Sequence, residues 1–422
     1  MRIAFVAPFG LRAKGTTRAR ALPLARELAS RGHAVALFIP PYDSPEDAGK
    51  RWIDAGVEVV NVPLVNVPLP RSGPTGPLRY FALAWHVLRA VAAWQPGVLH
   101  VFKPKGPSGL AATALWATRG WRSTAFVPDC PLVIDSDDWE GPGGWNDDPR
   151  VGYTPLQKRF FAWQERSGLS HADAWTVTSE CLRQRAIAFG AAPAKTFVLH
   201  NGVSDFGFRT IVPGAEQSGI VDFGFEAPES VFANRQSSIV NPQSAILYTR
   251  FAGVRPADVI AIWTRVRERL PDARLTVVGR GVGGEERGLA GAPGIEVAGW
   301  VEPQSLPALF AGMQVAVVPW ADTPSNRARH SAKVLELMAA GLPIVAYAVG
   351  ELPVTLGETG VLVPPGDAAA FAQAVVDLLT DPERARRLGA AAQLRVRERF
   401  AWPHLADVAL AAYAAALNVN VE

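Results

Sequence analysis

Twice along this chain, short runs of aliphatic and β-branched residues alternate with longer stretches of helical periodicity. That rhythm limits the fold more than any other feature. The first series places strands at Ile3–Ala7, Ala34–Ile39, Val57–Val60, Val98–Phe102, Leu132–Ile134 and Trp175–Thr178. It restarts near Ala245, with strands at Ala245–Tyr248, Leu275–Val278, Ile295–Ala298, Val315–Val318, Ile344–Ala346 and Val361–Val363. Strands that are apolar at consecutive positions are buried on both faces, and intervening helices supply the crossovers of a parallel sheet. The expectation is an α/β chain of two doubly wound domains, for which 422 residues are ample. The first domain is placed at 1–198 and the second at 199–402. Residues 203–243, rich in glycine, serine and proline, read as an irregular insertion. Ligands of such sheets sit beyond the carboxyl ends of the strands, so one is expected in the cleft between the domains.

Composition narrows the class. Hydrophobic residues make up 49% of the chain and charged residues 19%, which suits large cores and excludes a disordered protein. A net charge of +3 lacks the basic excess of a nucleic-acid binder, so no such partner is expected. The two cysteines, Cys130 and Cys181, show no metal spacing and read as free thiols in a reducing compartment. The opening MRIAFVAPFG is too short an apolar run for a signal peptide, and no segment reaches the length of a membrane span. A cytoplasmic protein is expected, with peripheral contact at the inner membrane face left open.

GRGVGG at 279–284 satisfies GxGxxG after a strand, the glycine pattern of dinucleotide sites. Its context is wrong: AGAPG at 290–294 breaks any long crossover helix, and Glu296 lies inside the next strand instead of near its end. No nicotinamide or flavin cofactor is expected, and the turn from Gly279 reads as one that lets a ligand approach the backbone. Asp135-Ser136-Asp137 is a literal DxD after a strand. Three readings stand for it: cation ligands, acids that hydrogen-bond a hydroxylated ligand, or a solvated loop. Arg250 lies just beyond strand Ala245–Tyr248, with Arg255 five residues on. Together with Lys333 and the N–H groups of the helix starting at Ser331–Ala332, they can surround one anion. A diphosphate fits that set without a metal; ordinary surface ion pairs are the alternative. The seven histidines show no ligand spacing, and His330 stands out only because it precedes that helix start.

The stretch HSAKVLELMAAGLPIVA, from His330 to Ala346, reads as a helix, a stop and a buried strand. Ser331 is placed to cap the helix, and Gly341 and Pro343 end it. Val334 and Met338 take the core-facing side of the helical wheel, opposite Glu336. The stripe around Glu336 carries Ala332, Lys333, Ala339 and Ala340, small enough for another body to approach the carboxylate. The alternative is a structural ion pair with Lys333 or a distant arginine.

Several blocks follow one another in a familiar order: GTTRARALPLARELASRGHAV (15–35), HADAWTVTSECLRQRAIAFGAAPAKTFVLHNGV (171–203), YTRFAGVRPADV (248–259), LTVVGRG, VAGWVEPQSLPALFAGMQVAVVPW, SAKVLELMAAGLPIVA and ETGVLVPPGDAAAFAQAV (358–375). In order and spacing they resemble the retaining family 4 glycosyltransferases, which have the GT-B fold of two Rossmann-like domains. The resemblance implies a donor site in the second domain. Glu336 would accept hydrogen bonds from the ribose of a nucleotide sugar, and the base would lie beside Trp300-Val301. The diphosphate would sit on Arg250 and Arg255, the latter in a lysine's place, with His330, Ser331, Ala332, Lys333 and Gly279 nearby. Gly15, Thr16 and Thr17 would form the acceptor-side glycine loop, and the last helix would return residues 403–422 to the first domain.

Two departures concern the donor sugar. The family's second glutamate, eight residues before the ribose one, is Ala328 here, and its histidine after strand Leu132–Ile134 is replaced by IDSDDWEGPGGWN. Asp135, Asp137 or Asp138 is expected to take over those contacts, which makes Asp135 and Asp138 catalytic candidates beside Arg250 and Arg255. The implied activity is hexose transfer from a nucleoside-diphosphate sugar to a hydroxyl of a glycan or lipid-linked acceptor, with no cofactor and no metal. A degenerate subunit that binds a nucleotide sugar or partners an active transferase is the alternative, and a GT-B epimerase a third. The stretches 77–94 and 156–166 mix arginines with tryptophans, as helices on anionic membranes do, but core helices with basic rims are the preferred reading.

Overall fold

Ile3–Val6 is apolar at every position, and in the computed structural model all four residues are buried in strand β1 (Arg2–Val6). The structure describes residues 1–11, 15–64, 76–118, 130–203 and 243–418. It divides into two units, one of residues 1–202, 323–330 and 400–422, the other of 203–322 and 331–399. Nearly all of the expected insertion, 204–242, lies outside the described residues.

In the first unit β1 is followed by β2 (Ala34–Ile39), β3 (Arg51–Asp54), β4 (Val57–Asn61), β5 (Val98–Phe102), β6 (Leu132–Ser136), β7 (Ala174–Val177) and β8 (Thr196–Val198). Their order across the sheet is β3-β4-β2-β1-β5-β6-β7-β8. Every pair is parallel except β3 with β4. Because side chains alternate along a strand, Ala4 and Val6 enter one core and Ile3 and Phe5 the other. Helices α2 (Gly76–Trp94), α3 (Pro107–Ala117), α4 (Pro155–Ser170) and α5 (Glu180–Ala188) cover the first face through Leu83, Val87, Leu115, Leu169 and Leu182. Helix α1 (Leu22–Ser30) and the C-terminal helix Trp402–Leu417 cover the second through Leu24, Leu28, Leu405 and Tyr413.

The second unit holds β9 (Ser244–Tyr248), β10 (Arg274–Val278), β11 (Ile295–Gly299), β12 (Val315–Val318), β13 (Ile344–Tyr347) and β14 (Val361–Val363) in the order β11-β10-β9-β12-β13-β14. All pairs are parallel. The order reverses direction at β9, so the crevice of this sheet opens beyond the carboxyl ends of β9 and β12. Between β10 and β11 there is only a short 3-10 turn, Glu285–Leu289, which agrees with the rejection of a dinucleotide fingerprint.

Three features differ from the sequence reading. Strand β3 and strand β8 were not expected: RWID is an exposed edge with no apolar run, and β8 spans three residues. Residues 323–330 belong to the first unit, although the second domain was placed continuously over 199–402. The reason is packing: Ala328 is fully buried in the first unit's core, and Ser179 Oγ donates to its carbonyl. No helix among the described residues is long and apolar enough to cross a membrane.

Candidate active site

At the carboxyl end of β9, Tyr248 meets Glu336 of helix α7 (Ala332–Ala339), a preceding helix α6 (Pro256–Arg269) having returned the chain from β9 to β10. The phenol donates a hydrogen bond to the Glu336 carboxylate, and its pKa is driven well above that of free tyrosine by burial, then by the glutamate's charge. Lys333 Nζ stands 3.6 Å from the centroid of the Tyr248 ring, a cation on an aromatic face. Glu336 is 5% exposed, while Val334 and Met338 pack the core as the helical wheel required. Sequence reasoning missed Tyr248, because an aromatic residue ending an apolar strand reads as core.

The other donor-side candidates spread along the same edge. Arg250 is exposed two residues past β9, close enough to influence Tyr248. Arg255 is 72% exposed at its side chain and pairs with Asp258 at 2.7 Å. Trp300 follows β11, half-exposed, its Nε1 donating to Glu302 at 3.0 Å, with Val301 half-buried beside it in sequence. Ser331 occupies the N-cap position of α7, but its side chain makes no capping bond; its carbonyl accepts from Val334 and Leu335. At Gly279, φ +115°, a Cβ would lie 1.8 Å from the Thr249 carbonyl, so the chain's own backbone already requires a glycine there. His330 falls in the first unit, so the expected donor-side set divides at the bond between residues 330 and 331.

In the first unit, a network of charges lines the carboxyl ends of β5 and β6. Lys103 Nζ contacts Asp137 at 3.3 Å, Glu140 at 3.0 Å and Asp138. Lys105 bonds Glu140 at 2.6 Å and Asn146 at 2.7 Å. The two lysines depress the Glu140 carboxyl to about 2 despite its burial. Asp138 behaves oppositely: burial pushes its pKa up, helped by Asp137 and Glu140 and opposed by Lys103. It is also the acid of this group with 34% of its side chain exposed, against 6% for Glu140 and 11% for Asp137. An accessible carboxyl with a raised pKa can hold or pass a proton.

Asp135 departs from its expected catalytic place. It is fully buried, both oxygens being taken by Arg20 at 2.8 and 2.6 Å, with Thr176 Oγ1 also donating at 2.6 Å. Arg20 further donates to the carbonyls of Leu199 and His200 and to Asn201 Oδ1. This knot joins the π-helical turn Thr17–Ala21 to β6 and to the segment after β8. Thr16 donates to Asp137 and Thr17 to the Phe9 carbonyl, both buried; Gly15 opens the turn. Asp135 thus turns to Arg20 while Asp137 and Asp138 share Lys103, and among the described residues no group of three or more metal-ligating side chains converges. Lys103, Lys105 and Arg20 were missed, though VFKPKG places two cations after a strand just as YTR does.

Two histidines of this unit are buried and neutral. His100 bridges Tyr413 at 2.8 Å and Thr176 at 3.1 Å. His330 accepts the Asn201 N–H on Nδ1, so its proton sits on Nε2, and its ring lies tilted against those of His200 and Phe400. Burial first, then Arg20 for both and His200 for His330, lowers each pKa well below 6.5. Below pH 6.5 the unfolded chain binds protons that the folded histidines refuse, so stability is full above 6.5 and declines as pH falls. The slope reaches about 1.4 kcal/mol per pH unit for each histidine. Urea midpoints of wild type and His100→Asn between pH 7.5 and 5.5 check this: the variant should show the shallower decline, and equal slopes refute it.

Comparison with known proteins follows this geometry. The chain matches the Glycosyl transferase 4-like domain over residues 15–202 and Glycosyl transferases group 1 over 255–381. It is similar to D-inositol 3-phosphate glycosyltransferase of Mycobacterium avium (strain 104), 28% identical over 421 residues, covering 94% of this chain and 88% of that one. Two solved structures share its fold. The catalytic domain of starch synthase IV from Arabidopsis thaliana, bound to ADP and acarbose, has a TM-score of 0.69 at 12% identity, covering 99% of both chains. HepE from Anabaena, in complex with UDP and glucose, has a TM-score of 0.61 at 17% identity, covering 96% of this chain and 98% of that one. The two parallel-sheet units with these likenesses define a glycosyltransferase with the GT-B fold. Within that class the chain belongs to glycosyltransferase family 4.

Proposed function

We propose that the protein transfers a hexose from a nucleoside-diphosphate sugar to a hydroxyl of a polyol, glycan or lipid-linked glycan acceptor, with the anomeric configuration retained. The observation that carries this is the Glu336–Tyr248–Lys333 group at the crevice of the second sheet. A carboxylate there, one helical turn from Lys333 and bordered by alanines, accepts hydrogen bonds from two ribose hydroxyls. Arg250 faces the diphosphate, and Arg255 joins it by leaving Asp258, a surface pair that costs little to break. Trp300 offers its exposed ring to the base. Charge builds on the diphosphate as its bond to the sugar breaks, so fixed cations and the first-turn N–H groups of α7 favour the transition state. No cofactor or metal enters this scheme. Asp138, in the first unit, is the acid assigned to the donor sugar or acceptor hydroxyl.

A ligand at 100 times its dissociation constant adds about 2.7 kcal/mol to the stability of the folded state. A thermal-shift screen of uridine, guanosine, adenosine and thymidine diphosphates should therefore raise the melting temperature with at least one. Silence from all four, confirmed by calorimetry, overturns the donor site. Product analysis with the matching nucleotide sugar then separates transfer from epimerisation, and turnover by the purified single chain excludes a binding-only subunit.

A further inference from the structure

The outer sides of α2 and α4 carry a pattern that the transfer reaction does not use. On α2, Phe81, Trp85 and Arg89 recur every four residues and are all exposed, Phe81 at 56% and Trp85 at 46%. On α4, Leu156, Arg159, Trp163 and Arg166 recur at helical spacing and are likewise exposed, Leu156 at 73% and Trp163 at 47%. These helices flank α3 over one face of the first sheet, so both stripes belong to the outside of the same layer. Isolated surface apolar residues are ordinary, but two helices each repeating large apolar and arginine side chains along one line are not.

Charge decides which partner fits. Helices α2 and α3 contain no Asp or Glu, and the one acid of α4, Glu165, is buried and bonded to Arg185. Lys158 is held by Asp147 at 3.4 Å and is set aside. What the layer presents outward is Arg89, Arg159 and Arg166 among tryptophan, phenylalanine and leucine, with Arg79 half-buried beside them on α2. A soluble polyanion would draw the arginines but leave the rings unused. A sheet of anionic headgroups over acyl chains uses both, rings at the interface and guanidinium groups on phosphates.

We propose that the α2–α4 face of the first unit docks on an anionic lipid bilayer. This is independent of the donor reading and touches none of its residues. The test is co-sedimentation of the full chain at low ionic strength with phosphatidylcholine vesicles, with and without phosphatidylglycerol. Binding should need phosphatidylglycerol and fall as salt rises. The double variant R89E/R159E should weaken the partition at least about tenfold. W85S/W163S should weaken it too, and neither variant should alter the thermal shift given by a nucleoside diphosphate. No sedimentation with anionic vesicles overturns the proposal, as does binding that both variants leave intact. Retention on dextran sulfate equal to that on vesicles, with the tryptophan variant unaffected, assigns the face to a soluble polyanion instead and also overturns it.

Discussion

Asp135→Ala should destabilise the first unit by about 3–5 kcal/mol, the usual cost of leaving one member of a buried ion pair behind. Arg20 is 1% exposed at its side chain and Asp135 0%, so bulk solvent does not screen the charge left behind. The stranded guanidinium would still bond three groups of the 199–201 segment, yet its charge would lie buried and uncompensated, near enough to act on His100. The damage should reach Thr176, which donates to the same carboxylate. Asp135→Asn keeps the shape and some hydrogen bonding but not the charge, and should fall between wild type and alanine. Hydrogen exchange of amides in β6 and β7 reads the loss in this unit separately from the other. Unchanged protection in the alanine variant would show that the pair is dispensable. A catalytic Asp135, by contrast, would lose turnover with full protection retained.

The second large effect concerns the donor half. Arg250→Ala removes an exposed cation, so folding should be untouched while turnover falls by one to two orders of magnitude. That figure follows from about 1.5–3 kcal/mol for one charged hydrogen bond to the leaving diphosphate. Because the charge on the diphosphate grows along the reaction, the loss should appear mainly in kcat. Glu336→Ala serves as the contrast: a ribose contact is equally strong before and during transfer, so KM should rise and kcat change less. Arg250→Ala with wild-type kcat would remove the proposed clamp.

How much of this was written in the primary sequence differs from residue to residue. Glu336 was legible because a lone carboxylate in an apolar helix has no local reason to be there. The sheets were legible because strands buried on both faces carry unbroken apolar runs, and β3 escaped because it lies at an edge with water on its outer side. Asp135 misled because its partner is 115 residues earlier, in a turn whose π-helical winding no local pattern announces. Lys103 was hidden in another way. Its backbone takes φ +49°, a conformation that ordinary side chains avoid, and only the assembled strand ends show why it is held there. Gly279 was noticed for its turn, while the Thr249 carbonyl that demands a glycine there lies thirty residues earlier and left no local sign.

The first unit is stitched from three stretches of chain, the last beginning at Phe400. During synthesis, therefore, β6 and β7 leave the ribosome with part of one face uncovered, and the Trp402–Leu417 segment that packs over Val133 and Ala174 is made only after the whole second unit. Cutting the gene after codon 202 would not yield a viable half. Complementation from fragments would require the stretch from Phe400 through Leu417 as a further peptide, and a stop codon placed just before Trp402 should be as harmful as one far upstream.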